Sequence, residues 1–165
     1  MSARLAAIFV APAAGAPVRR VARVEAVAGV GLAGDRYATG EGSFSRWPGP
    51  VREVSLIGAQ ALRDAAAEFG VRLGAGEHRR NLVVAGLDPA ALLGRRFRIG
   101  AVEMEGLRRC APCRYLVRVT GQARAFDALV RRGGLRARIA AGGTLREGDA
   151  VEDLGPAAQP RELPG

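Results

Sequence analysis

A chain of 165 residues with a formal net charge of +9 is long enough for one domain with its own core and short for two. Hydrophobic residues at 48% and charged residues at 25% give the balance of a soluble globular protein, and 23 glycines with nine prolines imply many turns rather than a helical bundle. Every basic residue is arginine, a planar fork that pairs with phosphate, so the excess charge fits an anionic ligand. Aromatics at 5% and arginines scattered as singles and pairs argue against nucleic acid as that ligand, because strand binders need stacking aromatics among the basic residues.

In chain order, Arg4 to Val10 reads as a first strand and Val18 to Val27 as a second, closed by the glycine-dense turn Gly29 to Tyr37, where Arg36 is placed to hold an anion. The polar loop from Thr39 to Pro50 has the length of a lid. A strand from Val51 to Ile57 leads into a helix over Gln60 to Phe69, with Leu62, Ala65, Ala66 and Phe69 on one face and Gly70 as its stop. The polar cluster Glu77-His78-Arg79-Arg80-Asn81 precedes the apolar run Leu82 to Val84, so its side chains emerge at a strand end. A lone histidine such as His78 reads first as a hydrogen-bonded structural residue.

Asp88-Pro89 opens a short helix ended by Gly94. Alternating segments at Arg96 to Ile99 and Ala101 to Leu107 deliver the stretch Arg108-Arg109-Cys110-Ala111-Pro112-Cys113-Arg114, which holds the only two cysteines of the chain. Helical segments over Tyr115 to Val119 and Ala123 to Arg132 end at Gly133-Gly134. A strand from Leu135 to Ala140, a turn at Arg146 to Asp149 and a strand from Ala150 to Leu154 complete a single domain over residues 1–154, and a frayed tail is expected over 155–165. Strands dominate without regular βαβ alternation, so the expected fold is mainly β with inserted helices (α+β), a β-barrel rather than a doubly wound sheet. The N-terminus lacks the length of a membrane span, and two cysteines make no disulfide framework, which favours a reducing cytoplasm.

The cysteine loop admits three chemistries. Neighbouring guanidinium charge favours the thiolate, the form that attacks or binds a metal. A structural zinc site lacks a second pair of ligands. A dithiol redox centre resembles the thioredoxin motif but stands after a run of strands instead of after the first strand of a βαβ unit. A single thiolate on a soft metal held mainly by another molecule is the third.

The segments GLAGDRY, GEHRRNLVV, LGRRFRIG, the CAPC loop and GGTLREGDAV, in this order, resemble the MOSC domain family over residues 18–153. The resemblance implies a MOSC-type β-barrel that binds the molybdenum cofactor, with Cys113 as the metal ligand and Cys110 as a second thiol beside it. It implies that Arg36, Arg80 and Asn81 sit against the pterin or its phosphate. It also implies either a small molybdenum-dependent oxidoreductase acting on a small molecule, for instance an N-hydroxylated compound, or a sulfur or cofactor carrier. A separate electron-donor or sulfur-donor protein would serve it, since no dinucleotide fingerprint or iron–sulfur cysteine set is present. With no lysine to form its Schiff base, pyridoxal phosphate chemistry is excluded for this chain. A non-catalytic module for a phosphorylated ligand or nucleic acid is the alternative reading.

Overall fold

The computed structural model of the chain describes residues 2–12, 16–35, 53–74, 76–112 and 114–158. Apolar and charged residues alternate in β7 (Arg95–Ile99), β8 (Val102–Arg109) and β9 (Leu135–Ala141), and this alternation decides which face of each strand is inside. Phe97, Ile99, Val102, Met104, Leu135 and Ile139 point into the core and are buried. The residues between them point outward and pair across strands or with the neighbouring one: Arg96 with Glu103 at 3.1 Å, Arg98 with Glu152 at 2.8 Å and Arg138 with Glu105 at 2.7 Å. Each such exposed pair stabilises little. Together they leave only one register in which the apolar face is inside.

The same logic holds for β1 (Arg4–Val10), with one interruption. Leu5, Ile8 and Val10 face the main core while Ala7 and Phe9 face a second one, because a register shift between Leu5 and Ala7 switches the parity of the strand. β5 (Val54–Gly58) and β6 (Leu82–Ala85) are apolar on both faces and run parallel, with Leu56 opposite Leu82. Burial on both faces is what a parallel pair requires. Helix α1 (Ala59–Phe69) makes the crossover between them, so one βαβ unit is embedded where the sequence pattern indicated no regular alternation. The helix ends at Gly70, which takes φ 66° so that its N–H reaches the carbonyls of Ala65 and Ala66. Asp88 caps the 3-10 turn Pro89–Leu92 through the amide of Ala90 at 3.0 Å, as its Asp-Pro sequence predicts.

The predicted strand over 18–27 divides. β2 (Arg19–Val21) pairs with β1, whereas β3 (Arg23–Val27) joins a second sheet with β4 (Gly31–Leu32) and β10 (Gly143–Arg146). With β11 (Val151–Pro156), the large sheet has the order β11-β7-β8-β9-β5-β6-β1-β2 and the small one β10-β3-β4. The protein is thus mostly β, with α1, α2 (Arg114–Thr120) and α3 (Ala125–Leu129) as its helices among the described residues. Among the described residues the ladder of the large sheet is not closed into a barrel; its edges there are β11 and β2. A short seam joins the start of β1 to the turn before β11, through an Arg4–Ala150 bridge and the bonds Leu5 N–H to Asp149 O, Gly148 N–H to Leu5 O and Val151 N–H to Ala3 O, at 2.8, 2.7 and 3.0 Å.

The main core lies between the two sheets and the second beneath the helices, where Phe9, Ile57 and Val83 meet Ala65, Leu116, Ala128 and Leu129. β11 continues to Pro156, two residues into the expected tail, and residues 159–165 lie outside the described part. So does the loop over 39–50. No helix of the described residues is long and apolar enough to cross a membrane. Phe97 is fully buried in the main core; Phe97→Ala is expected to lower the free energy of unfolding by about 3–5 kcal/mol in urea titrations. Arg98→Ala, which removes an exposed ion pair, should leave the unfolding midpoint nearly where it was.

Candidate functional site

Segments far apart in the chain meet midway along the staggered large sheet, where the register sets Ile8, Leu82, Leu56, Leu135 and Arg109 level with one another: the exit of β1 and the entry of β6 there abut the exit of β8 and the entry of β9. Asn81, at the entry of β6, is buried and its side-chain amide is engaged by the protein. Its Oδ1 accepts from the backbone N–H of Ser55 at 3.1 Å and the hydroxyl of Ser55 at 3.2 Å, and its Nδ2 donates to Phe9 O at 3.2 Å. The same residue's backbone gives its N–H to Ser55 O at 3.1 Å and takes the N–H of Phe9 at 2.7 Å. Asn81 thereby ties β1, β5 and β6 together.

Arg80 is 7% exposed and its guanidinium is surrounded by carbonyls. Nε donates to Gly133 O at 3.0 Å, Nη1 to His78 O at 2.9 Å and Nη2 to Ala111 O at 3.5 Å. Ala111 belongs to the cysteine loop. Cys110, also buried, docks on the same glycine pair: its N–H donates to Gly134 O at 2.9 Å. Gly133 must lack a side chain, since a Cβ there would collide with Cys110 O, and Gly134 takes φ 101°, where a Cβ would collide with Leu56 O. The Gly133-Gly134 doublet, legible in the sequence only as a helix stop, is therefore the seat of the cysteine loop.

His78 is wholly buried and packs edge-on against Phe9, with ring centroids 5.2 Å apart. Its Nδ1 accepts the backbone N–H of Arg80 at 2.9 Å, so in the neutral ring the proton sits on Nε2, which has no partner among the described residues. Burial first, and the charge of Arg80 second, push its pKa down to about 3. Between these two buried residues Arg79 adopts φ 62°, a left-handed conformation rare for a residue with a long side chain, and its Nη1 reaches Ala16 O at 2.6 Å. Just past the exit of β1, the N–H of Ala11 donates to buried Asp35 at 3.1 Å, which ties the end of the glycine-dense turn to that strand.

Electrostatics around the cysteine loop differ from those of the strands. Arg20 of β2 and the arginines of β7 are partnered by carboxylates, as in Arg20–Glu147 at 2.7 Å and Arg95–Asp153 at 2.8 Å. Arg108, Arg109 and Arg114, which flank the cysteine loop, are exposed and form no ion pair with any described residue. Glu53 is buried one residue before β5 and accepts the N–H of Ile139 at 2.9 Å; burial pushes its pKa up. A cleft of about 510 Å³ lies at the opposite ends of β1 and β6, lined by Arg4, Arg63 and Arg132 but also by Asp64 and Asp88. Its mixed charge favours neither sign of ligand.

Of the residues singled out from the sequence, the structure brings Arg80, Asn81 and Cys110 together. Arg36 and Cys113 lie outside the described residues. Ser55, Ala111 and Gly133 as their partners were not legible, because hydrogen bonds to backbone leave no trace in residue type. No group of three or more His, Cys, Asp or Glu side chains clusters among the described residues, so a metal held by protein side chains alone has no donor set there.

Fold and site together define a small mostly-β domain with an arginine-supported cysteine loop. Residues 45–152 match the MOSC domain, and the chain belongs to that family. No curated protein matches it. Its fold is shared with the YuaD protein from Bacillus subtilis, at a TM-score of 0.75, 19% identity and coverage of 93% of this chain and 96% of that one. It is also shared with YiiM from Geobacillus stearothermophilus, at 0.71 and 14% over 92% and 75%, and with YiiM from Escherichia coli, at 0.67 and 17% over 94% and 72%.

The buried neutral His78 makes stability depend on pH. Its pKa is about 3 when folded against 6.5 as the ordinary value, so the unfolded chain binds the extra proton. The contribution is complete above pH 6.5 and is lost as pH falls from there toward 3, at about 1.4 kcal/mol per pH unit. Glu53, with a raised pKa, contributes with the opposite sign. Subtracting the pH profile of His78→Gln from that of the wild type isolates the histidine, and chemical denaturation between pH 4 and 7, at about half-unit steps, should recover that slope in the difference.

Proposed function

We propose that this chain binds the molybdenum cofactor at the cysteine loop and works as a small oxidoreductase. Membership of the MOSC family associates the domain with that cofactor. The single observation that carries the reading is the concentration of guanidinium charge around a loop containing thiols: Arg80 buried beneath it, and Arg108, Arg109 and Arg114 exposed around it without carboxylate partners among the described residues.

The donor set suits the group. Molybdenum is thiophilic and takes a thiolate, while a pterin phosphate takes arginine forks and backbone amides. Cys113 is assigned as the metal ligand, and Cys110 as the second thiol of the catalytic loop. Arg36, Arg80 and Asn81 are assigned to the pterin side. A guanidinium has five N–H groups, so Arg80 keeps donors beyond those given to the three carbonyls. Asn81 acts by holding the entry of β6 in place, since its amide already serves Ser55 and Phe9. The His78 Nε2–H is a buried donor on the residue that packs against Arg80, a feature that suits a site completed by an acceptor from a bound group. The seam at Arg4 and Ala150 is the place where the barrel of the family would close.

When bound, the cofactor supplies two-electron exchange of an oxygen atom with substrate. The protein's part is to hold a thiolate, to neutralise anionic charge and to keep the loop fixed. Reduction of an N-hydroxylated amidine consumes two electrons and two protons and releases water, and the electrons come from a separate donor protein. A sulfur-carrier role for the same loop would pass a persulfide instead. Benzamidoxime turnover by cofactor-loaded protein separates the two, and absence of turnover with any electron donor would sink the reductase.

Protein produced in cells that make the cofactor is expected to carry molybdenum and pterin in near-stoichiometric amounts, and Cys113→Ala to lose the metal by at least about tenfold, measured by elemental analysis and pterin fluorescence. Wild type without molybdenum, or a variant that keeps as much, removes the assignment. A module for phosphorylated ligands would then be the surviving reading.

A further inference from the structure

We infer that Arg80 is a positioning residue, a latch that holds the cysteine loop against the start of β9. The inference deepens the proposed function and rests on it only for what the loop does; the latch is argued from contacts within the chain.

The long-range partners of the Arg80 side chain converge on one structure. Ala111 is in the loop, between the two cysteines in sequence, and Gly133 is in the glycine doublet on which Cys110 docks. An arginine needed only to fill the core could be satisfied by any nearby carbonyls. This one bridges the loop to its seat. A planar fork suits the geometry: Nε and Nη1 meet the carbonyls of Gly133 and His78 at 3.0 and 2.9 Å, and Nη2 lies 3.5 Å from that of Ala111. An ammonium on a flexible stem cannot hold the same set.

The seat of the arginine is itself rigid. Neutral His78 takes the Arg80 backbone N–H, the His78 carbonyl takes Nη1, and Asn81 anchors the next residue to β1 and β5. Arg79 between them is held at φ 62°, a conformation that persists only where the surroundings over-determine it. Buried polar residues on both sides of a left-handed arginine are costly for a plain strand entry, and they make sense where a side chain must be aimed.

The test uses thiol access and hydrogen exchange, so it needs no cofactor. In Cys113→Ser protein the remaining thiol is Cys110, which is buried, and it should react slowly with a disulfide reagent. Adding Arg80→Lys is expected to raise that rate at least about tenfold and to speed exchange of the Cys110 amide, while amides of Phe97 and Met104 in the core exchange as before. In Arg80→Ala, free ethylguanidinium at a few tens of millimolar, well below denaturing levels, should slow the reaction again, and ethylammonium should not. Unchanged Cys110 reactivity in Arg80→Lys would overturn the inference. So would a rise matched by faster exchange of the core amides, which would make Arg80 a general stabiliser, or rescue by ethylammonium as effective as by ethylguanidinium. Should Arg80→Ala fail to fold, the lysine variant decides alone. A failed latch with molybdenum retained in wild type would leave the proposed function standing, and the reverse result would leave the latch.

Discussion

The constraint on which the rest of the structure depends is that a buried polar group must find its partners inside the protein. Asn81 meets it by bonding Ser55 and Phe9, and in doing so it fixes how the parallel pair β5 and β6 sits beside β1. Unpaired, such an amide would cost about 1–3 kcal/mol or more. Paired, it cross-links three strands at the point where the chain enters β6, and it leaves the two residues before it little freedom. His78 and Arg80 are both buried there, one neutral and one charged: His78 Nδ1 takes the Arg80 N–H, and the Arg80 guanidinium gives its N–H groups to the carbonyls of His78, Gly133 and Ala111.

From that anchor the fold and the site share their parts. The β5-α1-β6 unit fills the middle of the large sheet and buries both faces of its strands, which frees the antiparallel strands beyond it to carry charge on their outer face. On those outer faces Arg95, Arg96, Arg98 and Arg138 are each paired with a carboxylate. The arginines at the exit of β8 are left with solvent or a ligand to face. Net charge alone would not say that three arginines unpaired among the described residues, Arg108, Arg109 and Arg114, flank the cysteine loop.

Much of the fold was legible because period two is a strong signal when one face carries charge. β7, β8 and β9 followed from it within a residue or two, and α1 followed from its apolar face and the glycine after it. The division of residues 18–27 into β2 and β3 was not legible, since both halves alternate equally well and only their partners, β1 and β10, differ. β10 itself was hidden by the flanking glycines, which read as turn. The parallel relation of β5 and β6 was hidden because a short apolar run says nothing about direction.

By itself the sequence determined the composition of the site: two cysteines among arginines, a buried-type polar cluster before an apolar strand, and no lysine. It also determined the family, because ordered segments of residues survive as a pattern even where identity to proteins of the same fold is below 20%. Only the tertiary structure decided that Arg80 faces Ala111 and Gly133, that Cys110 rests on a glycine pair, and that His78 is neutral. Those are contacts to backbone atoms across 31, 53 and 24 residues or through burial, as with Arg80 to Ala111, Arg80 to Gly133 and Cys110 to Gly134. Every residue offers the same backbone carbonyl, so nothing in the one-dimensional order marks which of them a side chain will meet until the strands have packed.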